Sequence, residues 1–214
     1  MLVKWYGHSC FLFTGENGVR VLTDPCDTST GYTLHDIEAD VVTSSHDHHD
    51  HNYFEAAKGS PVIVNQTGET VAAGIRFYGV PTWHDNAGGK ERGRNLIFLF
   101  ELDGLRIAHL GDLGHIPDED TLKLLEGTDI MLVPIGGVYT IDHKDALKIR
   151  SLVKPRVMIP MHYATPNLTF ALNSLQQLID DADCGKIHRV RENEVTFTKD
   201  SLGNNRIVVM EYER

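Results

Sequence analysis

A chain of 214 residues, 41% hydrophobic and 23% charged, is long enough to bury a substantial core, and a single domain spanning residues 1–214 is expected. Its formal net charge of −10 repels phosphate backbones, so a nucleic-acid partner is not expected. Cys10, Cys26 and Cys184 are an odd number without CxxC spacing, which argues against a disulfide framework. No run approaches the roughly 18 apolar residues of a membrane span, and the opening MLVKWYGHSC lacks the apolar run of a secretion signal. A soluble, cytoplasmic protein is the economical expectation.

Short strand-like runs come first, at residues 3–6, 10–14, 19–23, 41–43, 62–64 and 75–80, each bounded by Gly, Pro, Asn or Asp. Residues 95–101 and 105–110 then flank Asp103-Gly104, a strong hairpin signal. Beyond it the period changes. Residues 118–125, 144–153 and 168–181 carry apolar side chains at helical spacing. They alternate with strand-like runs at 130–133 and 157–159, and strands at 186–190, 195–198 and 206–211 close the chain. Strands first, then alternating helix and strand, predict an α+β fold in which two packed sheets carry helices on their outer faces.

The chemistry concentrates in Ser45-His46-Asp47-His48-His49-Asp50-His51-Asn52, directly after the apolar run 41–43. His46, His48, Asp50 and His51 give four ligand-type side chains within six residues. Imidazole nitrogens suit zinc and its first-row neighbours, and a carboxylate adds hard oxygen. His46 and His48 are two apart and can point at one ion, while Asp50 and His51 follow a bend and can face a second. A merely solvated loop would not collect ligands at this density.

His-x-His-x-Asp-His after a strand resembles the signature of the metallo-β-lactamase superfamily. The later motifs Trp83-His84-Asp85, Gly111-Asp112-Leu113 and Met161-His162-Tyr163 are similar, in order, to that family's remaining ligand positions. The resemblance runs from Gly7-His8 to about Tyr163. It implies a four-layer αββα sandwich with the metal site at one edge. It also implies two divalent ions, with His46, His48 and His84 on the first, Asp50, His51 and His162 on the second, and Asp112 bridging. Zinc is the first expectation, and Mn, Fe or Ni also fit the donor set. Trp5-Tyr6-Gly7-His8-Ser9-Cys10-Phe11, Asp24-Pro25 and Pro134-Ile135-Gly136-Gly137 look most like small hydrolases of the ascorbate-phosphate lactonase type.

The implied function is a metal-dependent hydrolase that turns water on a small, anionic ester, lactone or phosphodiester. Two alternatives stand beside it: a phosphodiesterase or nuclease using the same site, and a non-hydrolytic diiron or metal-binding scaffold. Asp50 is the expected proton acceptor as well as a ligand, and His115 the candidate proton donor or substrate contact. Lys90, Arg92 and Arg94, in the glycine-rich loop after His84, are candidate contacts for an anionic substrate group, with a solvated flexible loop as the competing view. Asp24 is expected to orient a ligand histidine, His49 to point away from its neighbours, and His8 is equally a site or a structural histidine. The partner expected is a small molecule, and a homo-oligomer is compatible with the sequence.

Overall fold

The computed structural model describes residues 1–213. In chain order its strands are β1 (Leu2–Gly7), β2 (Cys10–Thr14), β3 (Arg20–Thr23), β4 (Ile37–Glu38), β5 (Val41–Thr43), β6 (Ala57–Lys58), β7 (Val62–Val64), β8 (Gly68–Ala72), β9 (Ile75–Trp83), β10 (Arg94–Leu102) and β11 (Leu105–His109). Helix α1 (Glu119–Leu125), β12 (Ile130–Pro134), α2 (His143–Val153), β13 (Val157–Met161), α3 (Leu175–Asp181), β14 (Ile187–Arg189), β15 (Glu194–Thr196) and β16 (Arg206–Val209) follow.

The strands form a six-stranded sheet in the order β15-β1-β2-β3-β5-β7 and an eight-stranded one in the order β14-β16-β13-β12-β11-β10-β9-β8. The two face each other across one core. Phe13 of β2 meets Phe100 of β10 edge-on at 5.3 Å, and Phe11 meets His109 at 6.3 Å. The expected α+β sandwich is what the chain adopts. Strands β12 and β13, buried at every position, sit mid-sheet and are covered by α2, on which α1 and α3 pack.

Direction of travel decides where the chemistry goes. In the first sheet β3, β5 and β7 run parallel, and β1 runs antiparallel to β2, which is antiparallel to β3. In the second, β11, β12 and β13 run parallel, while β10 is antiparallel to both β9 and β11. The carboxyl ends of β1, β3 and β5 therefore share one rim, as do those of β9, β11, β12 and β13. Every ligand-bearing motif follows one of those ends, where the open crevices of mixed α/β sheets lie.

Several boundaries differ from expectation for local reasons. Strand β9 runs on through Pro81, because β8 stops pairing at Gly68 opposite Gly79 and leaves no neighbour to miss the proline N–H. Asp103 (φ +53°) and Gly104 (φ +70°) make the two-residue hairpin turn their sequence announces. The helix expected over 168–181 forms only at Leu175–Asp181. Upstream, Thr169 N donates to Thr30 O, Asn173 N to Gly136 O and Ala164 N to Asn173 O, so the backbone is satisfied by other segments. After Tyr53 the chain makes a single 3₁₀ turn, Phe54–Ala56, which passes straight into β6 and Gly59 (φ +88°). No helix among the described residues is long and apolar enough to cross a membrane.

Candidate metal centre

Three non-glycine positions in the rim adopt left-handed backbone: His8 (φ +51°), Asp24 (φ +42°) and His162 (φ +51°). Such conformations are costly for residues with a Cβ and persist where surrounding structure enforces them. Trp5 Nε1 and His162 N both donate to His8 O, at 3.1 and 3.3 Å, tying the β1–β2 turn of one sheet to the end of β13 in the other.

Two sets of donor atoms converge there. His46, His48 and His84 form one, and His8, Asp50, His51 and His162 the other, with ligand atoms inside each set within 4.8 Å of one another. Asp112 lies between them. Its Oδ1 is 3.1 Å from His51 Nε2, and its Oδ2 is 3.1 Å from both His84 Nε2 and His162 Nε2. His46 Nε2 stands 3.9 Å from the same Oδ2. The structure thus brings together all seven side chains named as metal ligands and adds His8.

Hydrogen bonds behind the donors fix which ring nitrogen faces inward. Asp24 accepts from Ser45 Oγ at 2.5 Å, from Ser45 N at 2.9 Å and from His51 Nδ1 at 2.8 Å. Because Ser45 Oγ gives its proton to Asp24, it accepts from His46 Nδ1 at 2.9 Å. One buried carboxylate therefore orients a histidine of each set, the outer support that metal-ligating imidazoles require. His84 Nδ1 donates to Tyr139 O at 3.1 Å, and Asp112 N donates to the Asn95 side-chain oxygen at 2.8 Å.

The electrostatics of the site suit cations. Burial and the neighbouring His51 push His46 down to about 2. Burial, then His162, brings His8 down to about 4. Burial opposes charge on His51, but Asp112, Asp50 and Asp24 outweigh it and hold its pKa well above the ordinary value. Burial would raise Asp112, yet His162 and His51 hold it well below the carboxylate range. His46 Nε2, His51 Nε2, His162 Nε2 and Asp112 Oδ1 are buried without a hydrogen-bond partner. Orphaned donor atoms aimed at one another are costly unless something positive sits among them. The residues fit metal ions.

The centre opens into a cleft of about 460 Å³, lined by His48, His49, Asp50, His84, Arg92, Asp112, Tyr139, His162 and Phe170. Of the three cations considered, Arg92 lines this cleft, Arg94 lines only an adjoining groove, and Lys90 lines neither. His115 stands apart. Its Nδ1 donates to Ile116 O at 2.9 Å and its Nε2 accepts from Trp83 N at 3.3 Å, so neither ring nitrogen is free to serve the cleft. His49 turns onto Ser29 and Asp27, as expected, while rimming the opening. A larger cavity of about 560 Å³ on the outer side of β1 and β2 is lined by His35, Asp36, Glu38 and Glu213, but none of these belongs to a converging donor group among the described residues, and its cation, Arg20, is already paired with Glu38 and Asp40.

Sequence reasoning left out Tyr139, Phe170, Asn95 and Asp85. Only Asp85 carried a signal, an Asp followed by Asn-Ala-Gly-Gly, the composition of a side-chain-capped turn.

Comparison with known proteins agrees with this geometry. The family model described as "Beta-lactamase superfamily domain" matches residues 2–162. A UPF0173 metal-dependent hydrolase of Thermococcus onnurineus is 32% identical over 84% of this chain and 92% of its own. The chain belongs to the metallo-β-lactamase superfamily. A superfamily protein of Thermotoga maritima, described as a candidate zinc-dependent hydrolase, superposes with a TM-score of 0.83 at 33% identity, covering 99% of each chain. A further UPF0173 relative, from Carboxydothermus hydrogenoformans, is 33% identical over 77% of this chain and 85% of its own. This superfamily member is a metal-dependent hydrolase. The likeness to the lactonase type is a resemblance of motifs.

Proposed function

We propose that the chain hydrolyses a small, anionic ester, lactone or phosphodiester with two divalent cations, zinc being the first candidate. His46, His48 and His84 would hold one, Asp50, His51 and His162 the other, and Asp112 would bridge them. The observation that carries this reading is Asp112 itself, whose carboxylate lies 3.1 Å from His84 of the first set and 3.1 Å from His51 and His162 of the second. When bound, such cations supply Lewis acidity and bring the pKa of water from roughly 15.7 to about 7.

The chain's own groups do the rest. Asp50 is kept anionic: burial would raise its pKa, but His51 and a hydrogen bond from His8 hold it below the carboxylate range. Its anionic oxygens can therefore accept a hydrogen bond from an attacking water and orient it. Arg92, at the cleft wall, recognises the substrate's anionic group, and Tyr139 and Phe170 supply apolar walls that exclude solvent.

A panel of aryl esters, lactones and bis-p-nitrophenyl phosphate on metal-reconstituted protein tests the reading. Asp112→Ala is expected to lower kcat/KM by on the order of 10³-fold or more and to reduce metal content by mass spectrometry. Hydrolysis that survives this change would come from elsewhere. Preference for the phosphodiester over every ester and lactone would favour the phosphodiesterase alternative.

A further inference from the structure

The loop after His84 is held from inside by one side chain. Asp85 Oδ1 accepts from Ala87 N and Gly89 N, both at 2.8 Å, and its Oδ2 accepts from Glu91 N at 3.0 Å and Arg92 N at 2.8 Å. Four backbone donors on one carboxylate leave the loop little freedom. Its ends close as well, with Gly93 N donating to Gly89 O and His84 N to Gly93 O, each at 3.1 Å. Trp83 packs so tightly beneath that a Cβ on Gly89 would lie 2.4 Å from the indole. Asp85 is buried, and the N–H groups of Ala87, Gly89, Glu91 and Arg92 satisfy its carboxylate. A polar, glycine-rich loop would ordinarily wave in solvent. This one is built.

What it carries is Arg92, whose guanidinium carbon lies 5.1 Å from the centre of the Tyr139 ring. Arg92 lines two cavities at once: the cleft over the metal centre, and a groove of about 590 Å³ bounded also by Asn65, Gln66, Thr67 and Arg94. It stands at their partition. Arg94 has no ion-pair partner among the described residues, and Arg92 is met only by Glu91 at 3.5 Å. In a chain of net charge −10, two arginines so lightly paired beside the metal centre form a local positive strip.

We infer that Asp85 is a positioning residue that fixes Arg92 at this partition, so that the substrate carries a carboxylate or phosphate set back from its scissile bond toward the groove. The inference rests on the reading of Arg92 given above. A pre-set guanidinium loses little freedom on pairing with an oxyanion, which is why the cost of undoing Asp85 should fall on binding.

The experiment compares 4-nitrophenyl glutarate, which bears a free carboxylate, with neutral 4-nitrophenyl butyrate on zinc-reconstituted protein. Arg92→Ala is expected to raise KM for the glutarate about tenfold or more and to change the butyrate far less. Asp85→Asn is expected to give the same split, and Asp85→Asn combined with Arg92→Ala to be no worse than Arg92→Ala alone. Additive losses, equal losses on both esters, or loss of zinc from Asp85→Asn would overturn the inference, the last because Asp85 would then be acting through His84. If Arg92→Ala itself treats both esters alike, the anion reading fails. Hydrogen exchange then decides the positioning separately: amides 87, 89, 91 and 92 should exchange faster in Asp85→Asn, and unchanged protection refutes it. Should that variant not fold, Gly89→Ala disturbs the same loop against Trp83 and should reproduce the KM split.

Discussion

His8 Nε2 donates to Asp50 Oδ2 at 3.2 Å, and its ring lies 4.1 Å from that of His162 and 5.3 Å from that of His51. Fully buried, it has few roles open other than aiming Asp50. His8→Leu is expected to lower kcat roughly 10- to 100-fold, and His8→Gln, which keeps a donor, to restore part of it. The cobalt-substituted visible spectrum should shift in His8→Leu and return toward wild type in His8→Gln. Wild-type kcat and spectrum in both variants would remove His8 from the site. Nothing local in Gly7-His8-Ser9 says that its turn lies at the metal-bearing rim, so the sequence could not choose between site and structure. The cluster from His46 to His51 was legible because imidazoles and a carboxylate crowded at a strand end serve little besides binding ions. His115 illustrates the reverse: three residues past Asp112 in sequence, it is held by Trp83 and Ile116 backbone instead.

Among the elements, the strand ends are the parts under tightest constraint. Gly111 follows β11 with φ +55°, and a Cβ there would lie 2.4 Å from Asn95 Oδ1 and 2.5 Å from Ser45 Cβ. Ser45 supports His46, and Asn95 holds the Asp112 amide, so the clash lands on two ligand supports together. Gly111→Ala is expected to cost about 2 kcal/mol or more in chemical denaturation and to lower metal content. Loss of stability with metal binding unchanged would show that the two supports relax independently. Strands with alternating or continuous apolar runs were readable, and so was the Asp103-Gly104 hairpin. Strand β8 was not, since the inward positions of Gly68-Glu69-Thr70-Val71-Ala72 are held by Gly68, Thr70 and Ala72, which give little apolar signal. The false helix at 168–174 arose because Leu168 and Leu172 mimic helical spacing, while Phe170 lines the cleft.

At the scale of the molecule, the metal-free centre is one that acid attacks. Burial holds His8 down to about 4 and also lowers His109, whose Nε2 donates to Ser9 O at 2.9 Å. The unfolded chain takes up protons at these histidines near pH 6.5, whereas the native state refuses them until well below that. Their contribution is complete above about pH 6.5 and is lost as pH falls toward 4. His8 alone represents on the order of 3 kcal/mol. His51, shifted upward, contributes fully throughout that window and does not offset the loss. The melting temperature of chelated protein should therefore drop by roughly 5–10 °C between pH 7 and 4.5. A flat profile would mean that these histidines are not held neutral. The sandwich itself was legible from the order of periods along the chain, because strands gathered early and helix–strand alternation gathered late leave few ways to bury both faces.

The donors that converge on Asp112 come from opposite halves of the sandwich: His46, His48, Asp50 and His51 from the rim of the six-stranded sheet, His84 and His162 from that of the eight-stranded one. Ions seated there would rivet a seam that side chains such as Phe13 and Phe100, and a few backbone hydrogen bonds such as His162 N to His8 O and Leu96 N to Ser45 O, already hold. Reactivity is thereby slaved to alignment. A sequence that kept every donor but let one half slip by a single residue against the other would fold into much the same shape and have no chemistry at all.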